Sequence, residues 1–425
     1  MTSFRFFHAA DIHLDSPLKG LASIEGRLAE RIRTAPRAAF EALVEWAIQD
    51  QVSFFVIAGD LYDGTWRDYK TGLFFAEQMG RLNQAGIPVF VLHGNHDAES
   101  QITKPLALPD NVRVFGTRKA QTFQLDELNV ALHGQSFREK AVTDNLVPGY
   151  PAPILGAFNI GVLHTALGGM GDHANYAPCS LPELVAKGYD YWALGHVHQG
   201  QVLNERPHVV FPGNLQGRHV REAGPKGACL VTVEAGNVVE VASLTFDVVR
   251  WAVLDVDVAA ASSTIDVVDL MRQALSQGVA SADGRLLSAR IVLQGHTELH
   301  SQLVTDVENL TAEARAAALG LGNEVAWVER VAVRTTPVAD TAALAAREDA
   351  LGDLQRMLKE AVADEELLGQ LKADIGELIG KLPHKLRDGC EDEVLGAAVA
   401  GDYAALIGRV TPYLNARLTA EVEDG

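Results

Sequence analysis

Seven residues with metal-binding side chains punctuate the first half of the chain. They are Asp11 and His13 in "DIH", Asp60 in "GDLYD", Asn95 in "GNHD", His164 in "LHT", and His196 and His198 in "GHVH". Carboxylate and amide oxygens combined with imidazole nitrogens suit manganese, iron or zinc, and the lack of thiolates in the set disfavours copper(I) or iron-sulfur chemistry. One ion does not use so many ligands. Two ions about 3.5–4 Å apart, sharing one carboxylate, would use all of them and would clamp the attacking and leaving oxygens of a phosphoryl displacement. Asp60 is the expected shared ligand, because the preceding Gly59 lets the backbone turn tightly. His196 and His198 lie two apart, so on an extended chain both rings face one spot.

Each polar cluster follows an apolar run. "FRFFHAADIH", "VSFFVIAGDLYD", "IPVFVLHGNHD", "AFNIGVLHT" and "YDYWALGHVH" read as buried strands. Phe40, Leu43, Val44, Ala47 and Ile48 recur at helical spacing between the first two. The clusters therefore fall at or just past the carboxyl ends of strands, where open α/β sheets place their ligands. Any one cluster alone is more often a turn or a satisfied core residue, and the ordered set carries the argument. Residues 247–334 then read β-α-β-α-β, with a boundary at Pro337 and the small residues around Asp340. Beyond it Leu367, Leu368, Leu371, Ile375, Leu378, Ile379 and Leu382 recur at helical period until Pro383. Three regions are expected: 1–246 with the metal-type residues, 247–338, and a helical 339–425.

Composition narrows the class. With 425 residues, 48% hydrophobic and 21% charged, the chain is long enough for two or three domains and has no disordered or fibrous bias. No apolar stretch approaches the roughly 18 residues that cross a bilayer. Arg5, His8 and Asp11 interrupt any secretory h-region, so a cytoplasmic protein without membrane association is expected. Cys179, Cys229 and Cys390 are odd in number and form no C-x-x-C, which points to reduced thiols. The net charge of -19 argues against a nucleic-acid partner, which normally meets a basic footprint. Its distribution softens that, because residues 341–425 hold 9 Lys plus Arg against 17 Asp plus Glu and contribute -8. Carboxylates in a metal centre are also offset by the ions they hold.

The ordered motifs D-x-H, G-D-x-x-D, G-N-H-D, H and G-H-x-H, spread over residues 8 to 198, resemble the calcineurin-like metallophosphoesterase pattern. "HAADIHLDSP", "ALGHVH" and "PGNLQGRHVREAGPKG" are similar to SbcD-type DNA-repair nucleases, and "GDLYDGTWRDYKTG" is most similar to their YhaO-like bacterial branch. The resemblance implies an α/β fold of two central β-sheets flanked by helices, a small α+β capping domain and a helical C-terminal region. It assigns Asp11, His13, Asp60 and His198 to one ion and Asp60, Asn95, His164 and His196 to the other, with manganese as the metal. It makes His96 the catalytic histidine and has Asp97 orient it. Where some members carry a second histidine, this chain has Asp63, which leaves that position's part in steering the phosphate open.

Asn214, Gln216 and Arg218 form a glycine-punctuated loop able to hold phosphates by backbone N–H groups and a guanidinium. His8, His93 and His133 read as packing or supporting residues. The implied function is that of a DNA exonuclease or endonuclease subunit in repair. Its partners would be DNA, an SbcC-like ATPase gripped by the C-terminal helices, and a second copy in a homodimer. A phosphoprotein phosphatase or small-molecule phosphodiesterase on the same core, and a scaffold that binds metal without much hydrolysis, are the alternatives. The extra β-α-β-α-β segment and trailing helices favour the nuclease over a simple phosphatase, and the intact ligand set speaks against a scaffold.

Overall fold

The apolar runs ahead of the polar clusters are strands, and they are shared between two sheets. The computed structural model describes residues 3–16, 26–63, 69–99, 107–168, 176–322, 324–338, 352–353, 356–357, 360, 364–381, 393–408 and 410. The first sheet contains β1 (Phe4–Ala9), β2 (Phe54–Ala58), β3 (Val89–Leu92) and β4 (Val112–Val114). The second contains β5 (Gln121–Leu125), β6 (Val130–Gly134), β7 (Phe158–His164), β8 (Tyr191–Gly195), β9 (Gln201–Glu205) and β10 (His208–Phe211). The chain then returns to the first sheet as β11 (Gly227–Glu234) and β12 (Asn237–Thr245). Strand order is β12-β11-β1-β2-β3-β4 in one and β5-β6-β7-β8-β10-β9 in the other. β1 to β4 run parallel, as do β6, β7, β8 and β10, while β11, β12, β5 and β9 pair antiparallel.

Side-chain alternation divides the core. Phe6, Phe54 and Phe90 of the first sheet meet Leu132, Ile160 and Tyr191 of the second, with Phe6 and Phe54 stacked at 4.7 Å. The neighbours Phe7, Phe55 and Val91 point the other way, onto Phe40, Leu43 and Met79 of the helices Gly26–Gln49 and Tyr69–Gln84. On the far side of the second sheet Trp192 and Leu194 pack with Val147 and Leu184. The result is a sheet sandwich covered by helices, as the resemblance implied. Continuous apolar runs show that strands are buried on both faces but not that a second sheet supplies one of those faces.

Buried polar side chains join the sheets, and His8 is one of them. His8 on β1 contacts the Tyr191 hydroxyl through Nδ1 at 3.0 Å and donates from Nε2 to the Leu194 carbonyl at 3.0 Å. Burial drives its pKa from 6.5 down to about 3, the Leu194 carbonyl opposing that only in part. The unfolded chain therefore takes up a proton between pH 6.5 and 3 that the folded chain refuses. The stability tied to neutral His8 is complete above pH 6.5 and is lost as pH falls toward 3, by up to about 1.4 kcal/mol per unit. In urea unfolding, the stability gap between the parent and His8→Gln should narrow steadily from pH 7 to pH 4. A constant gap would reject this role.

The described residues divide into two compact units, Met1–Ala252 with Ala282–Ser288, and Val253–Ser281 with Ala289–Gly425. In the first, Asp247 takes ion pairs from Arg250 at 2.6 Å and Arg285 at 3.0 Å, which anchors the returning segment. The chain enters the second unit along β13 (Val249–Asp257), which forms a three-stranded sheet with β14 (Leu286–Thr297) and β15 (Ala326–Pro337), in that order. The helix Thr264–Ser281 follows β13. The single helix expected before β15 is two, His300–Thr305 and Val307–Gly320, parted at Asp306 with φ -110° and ψ 23°. Glu365–Gly380 and Glu393–Ala400 are helical, whereas Asp340, Leu382, Pro383 and Cys390 lie outside the described residues. No helix among the described residues is long and apolar enough to cross a membrane.

Candidate metal centre

Parallel strands bring their carboxyl ends to one edge of each sheet, and all seven metal-type residues sit there. Asp11 and His13 follow β1, Asp60 follows β2, and Asn95 opens the short helix after β3. His164 ends β7, and His196 and His198 follow β8. The first sheet supplies four of them and the second three. All seven are buried, from 0% exposure at His164 to 8% at His198. Asp11, His13, Asp60 and His196 adopt left-handed φ values of 50°, 46°, 52° and 102°, a conformation that non-glycine residues hold only when surrounding contacts impose it. Two glycines allow the close approach. A Cβ on Gly195 would lie 2.0 Å from the Ala58 carbonyl oxygen, and one on Gly94 would lie 2.3 Å from Asp60 Oδ1.

The ligand atoms converge as two groups. Asp11, His13 and His198 form one, with His13 Nε2 3.2 Å from His198 Nε2 and His198 Nε2 3.8 Å from Asp11 Oδ1. Asp60, His164 and His196 form the other, with His164 Nε2 3.5 Å from Asp60 Oδ2 and 3.0 Å from Asn95 Oδ1. Asp60 Oδ2 also reaches His13 Nε2 at 4.0 Å, so its carboxylate stands between the groups. A ring nitrogen of His96 approaches the same two side chains, as Asp60, His13 and His96 form a third group.

These residues fit a pair of cations. His164 donates from Nδ1 to the Ala58 carbonyl at 3.0 Å and His198 from Nδ1 to Glu222 Oε1 at 2.7 Å. In the neutral rings each Nε2 lone pair is then aimed inward at other acceptors. Asp11 Oδ1 is buried with no hydrogen-bond partner among the described residues, while Asp11 Oδ2 accepts from the His196 amide at 2.9 Å. Burial pushes the Asp11 carboxyl up to about 7, against the pull of His164. His164 is pulled down by burial but raised on balance to about 9, first by Asp60. A proton or a metal ion answers the same demand for positive charge.

His96 differs from these. It is 31% exposed at its side chain, and its Nδ1 lies 3.1 Å from Asp63 Oδ1. Burial lowers its pKa, but Asp63 and Asp60 outweigh that and raise it overall. Asp97 does not orient this ring, contrary to the expectation. Its carboxylate accepts from the amides of Leu61 at 3.2 Å, Tyr62 at 2.9 Å and Gly94 at 2.9 Å, and so ties the Asp60 loop to the Asn95 loop. The carboxylate within ion-pair distance of this ring is that of Asp63, itself held by Ser16 Oγ at 2.7 Å. Residues adjacent on a helix point about 100° apart, so Asp97 is a poor partner for its neighbour.

The loop after β10 divides likewise. Arg218 faces the centre, with NH1 3.8 Å from Asp63 Oδ1 and NH2 3.4 Å from Glu222 Oε1. Asn214, expected to touch the substrate, is fully buried and donates from Nδ2 to Glu222 Oε2 at 2.9 Å and to the Gln216 carbonyl at 3.0 Å. Gln216 accepts from the Val248 amide at 2.8 Å and is equally buried. Both brace the loop. His133 contacts Thr122 and Asn159, and the His93 amide donates to Ser136 Oγ, supporting roles in each case. Glu222 escaped the sequence reading. Its one signal was being the sole carboxylate in "PGNLQGRHVREAGPKG".

The model described as "Calcineurin-like phosphoesterase" matches residues 4–200, and "Metallophosphoesterase YhaO, middle domain" matches residues 251–336. The "Uncharacterized metallophosphoesterase YhaO" of Bacillus subtilis (strain 168) is 35% identical over 299 residues, covering 69% of this chain and 72% of that protein. The chain belongs to the calcineurin-like metallophosphoesterase family. This metallophosphoesterase is also 26% identical over 284 residues to the "DNA double-strand break repair protein Mre11" of Methanopyrus kandleri, covering 58% of this chain and 57% of that protein. A dimetal phosphatase structure from Danio rerio matches 57% of this chain and 99% of its own, with 14% identity and a TM-score of 0.33. Calcineurin-like phosphoesterases use two divalent metals, and the two ligand groups of this metallophosphoesterase are its candidate binding residues. Family membership supports metal-dependent phosphodiester hydrolysis.

Proposed function

We propose that this metallophosphoesterase is a manganese-dependent DNA exonuclease or endonuclease subunit of the SbcD type, working in the cytoplasm in DNA repair with an SbcC-like ATPase. One juxtaposition carries the hydrolytic part of this reading: two ligand groups sharing Asp60, with His96 and Arg218 at their rim. The similarity to Mre11, across 58% of the chain, supports DNA as the substrate. The C-terminal helices Glu365–Gly380 and Glu393–Ala400 are the proposed ATPase grip, and a homodimer is the proposed assembly.

When bound, the two ions supply Lewis acidity at the phosphoryl group and acidify water. Asp11, His13, Asp60 and His198 would hold one, and Asp60, Asn95, His164 and His196 would hold the other. His96, whose protonated form the nearby Asp63 and Asp60 favour against burial, donates a proton to the departing sugar oxygen. Arg218 neutralises a phosphate oxygen beside it. With a net charge of -19 the isolated subunit binds DNA weakly, and increasingly so as salt rises.

The test compares end-labelled duplex and hairpin DNA, a cyclic dinucleotide and a chromogenic diester. Each is incubated with purified protein and manganese, with and without an SbcC-like ATPase. DNA cleavage that a chelator abolishes is the expected result. Turnover of the small diesters with intact DNA under every condition would replace the nuclease by a small-molecule phosphodiesterase.

A further inference from the structure

Glu222 closes the short turn Val220–Glu222, outside every motif that supplies a metal-type residue. It is 8% exposed, and donors surround both oxygens. Oε1 accepts from His198 Nδ1 at 2.7 Å, with Arg218 NH2 at 3.4 Å and His219 Nε2 at 3.6 Å. Oε2 accepts from the Arg218 amide at 2.7 Å and from Asn214 Nδ2 at 2.9 Å. We infer that Glu222 is a positioning residue of the metal centre, fixing the His198 ring with its proton on Nδ1 and, through the Arg218 backbone, fixing the guanidinium beside Asp63.

The chemistry follows from the donor count. A carboxylate has only acceptors, and His198, Arg218, His219 and Asn214 meet these two oxygens with donors or, for the histidines, with a ring nitrogen that becomes one by choice of tautomer. Holding the His198 proton on Nδ1 leaves Nε2 as a lone pair, and Nε2 is the atom 3.8 Å from Asp11 Oδ1 and 3.2 Å from His13 Nε2. A carboxylate behind a ligating imidazole orients the ring and raises its basicity. Asn214 has its place in the same scheme, as the strut that keeps Oε2 in position. One side chain thus couples a ligand of the Asp11 group to the cation that faces the substrate.

The inference deepens the two-ion reading and rests on it. Its test uses Glu222→Gln, equal in size, whose amide must turn N–H toward a donor on one side or the other. Titration calorimetry with Mn2+ is expected to show two binding steps in the parent. In the variant one step should weaken about 10–100-fold while the other keeps its affinity. The chelated variant should unfold near the temperature of the chelated parent. Two steps of unchanged affinity in the variant would overturn the role of Glu222 alone. A parent that binds fewer than two ions would overturn the two-ion reading and this inference with it. Nitrogen NMR of the Zn2+-loaded parent decides independently of the variant's folding. The His198 signal, assigned by its loss in His198→Gln, should show the proton on Nδ1, and a proton on Nε2 would overturn the inference.

Discussion

Asp60→Asn is expected to lower metal-dependent phosphodiester hydrolysis by about a thousandfold or more. Asp60 Oδ2 lies 4.0 Å from His13 Nε2 and 3.5 Å from His164 Nε2, one from each ligand group, while Oδ1 is held by the His96 amide at 2.9 Å. Asparagine keeps the shape but replaces one anionic oxygen with an N–H donor, which repels a cation on that side. The number of bound Mn2+ ions, read by elemental analysis after desalting, should fall together with turnover. Two ions retained with turnover within tenfold of the parent would refute the sharing role.

His96→Ala should behave differently. With 31% of its side chain exposed and its Nδ1 on Asp63, His96 is available to a substrate without being needed to fill the buried ligand groups. Loss of a positioned general acid costs about 10²–10⁴ in rate, and metal content should be retained. The leaving group gives the decisive contrast. Nitrophenolate departs without a proton and a sugar alkoxide does not, so the variant should lose far more on DNA than on a nitrophenyl diester. Equal losses on the two substrates would assign His96 to phosphate binding instead of proton transfer.

How much of this was legible beforehand depends on the range of the interaction. Asp11, Asp60, Asn95, His164 and His196 could be found because each follows an apolar run that can only be a strand, and the polar residue ending such a run lies at the sheet edge. The β-α-β order of the second unit was legible for the same local reason. Pairings across the fold were not. Asp63 follows β2 and His96 lies in the short helix after β3, so their approach spans two connections, whereas the Asp97 that the resemblance named has its carboxylate taken by three backbone amides. Asn214 looked available because a loop rich in glycine reads as open, whereas Glu222 folds the loop over it. The break at Asp306 left no mark in the apolar period, which continues on both sides of it.

The seam between the two sheets has a further consequence. Four of the metal-type residues ride on one sheet and three on the other, above an apolar interface rich in phenylalanine, with His8 among its polar ties. Any ion seated at that edge is a rivet through both layers, and its affinity is measured against the work of prising them apart. Loading and folding are therefore a single equilibrium viewed from two ends. A substitution deep among those aromatic rings, far from any ligand, would loosen the grip on metal as surely as one at the rim.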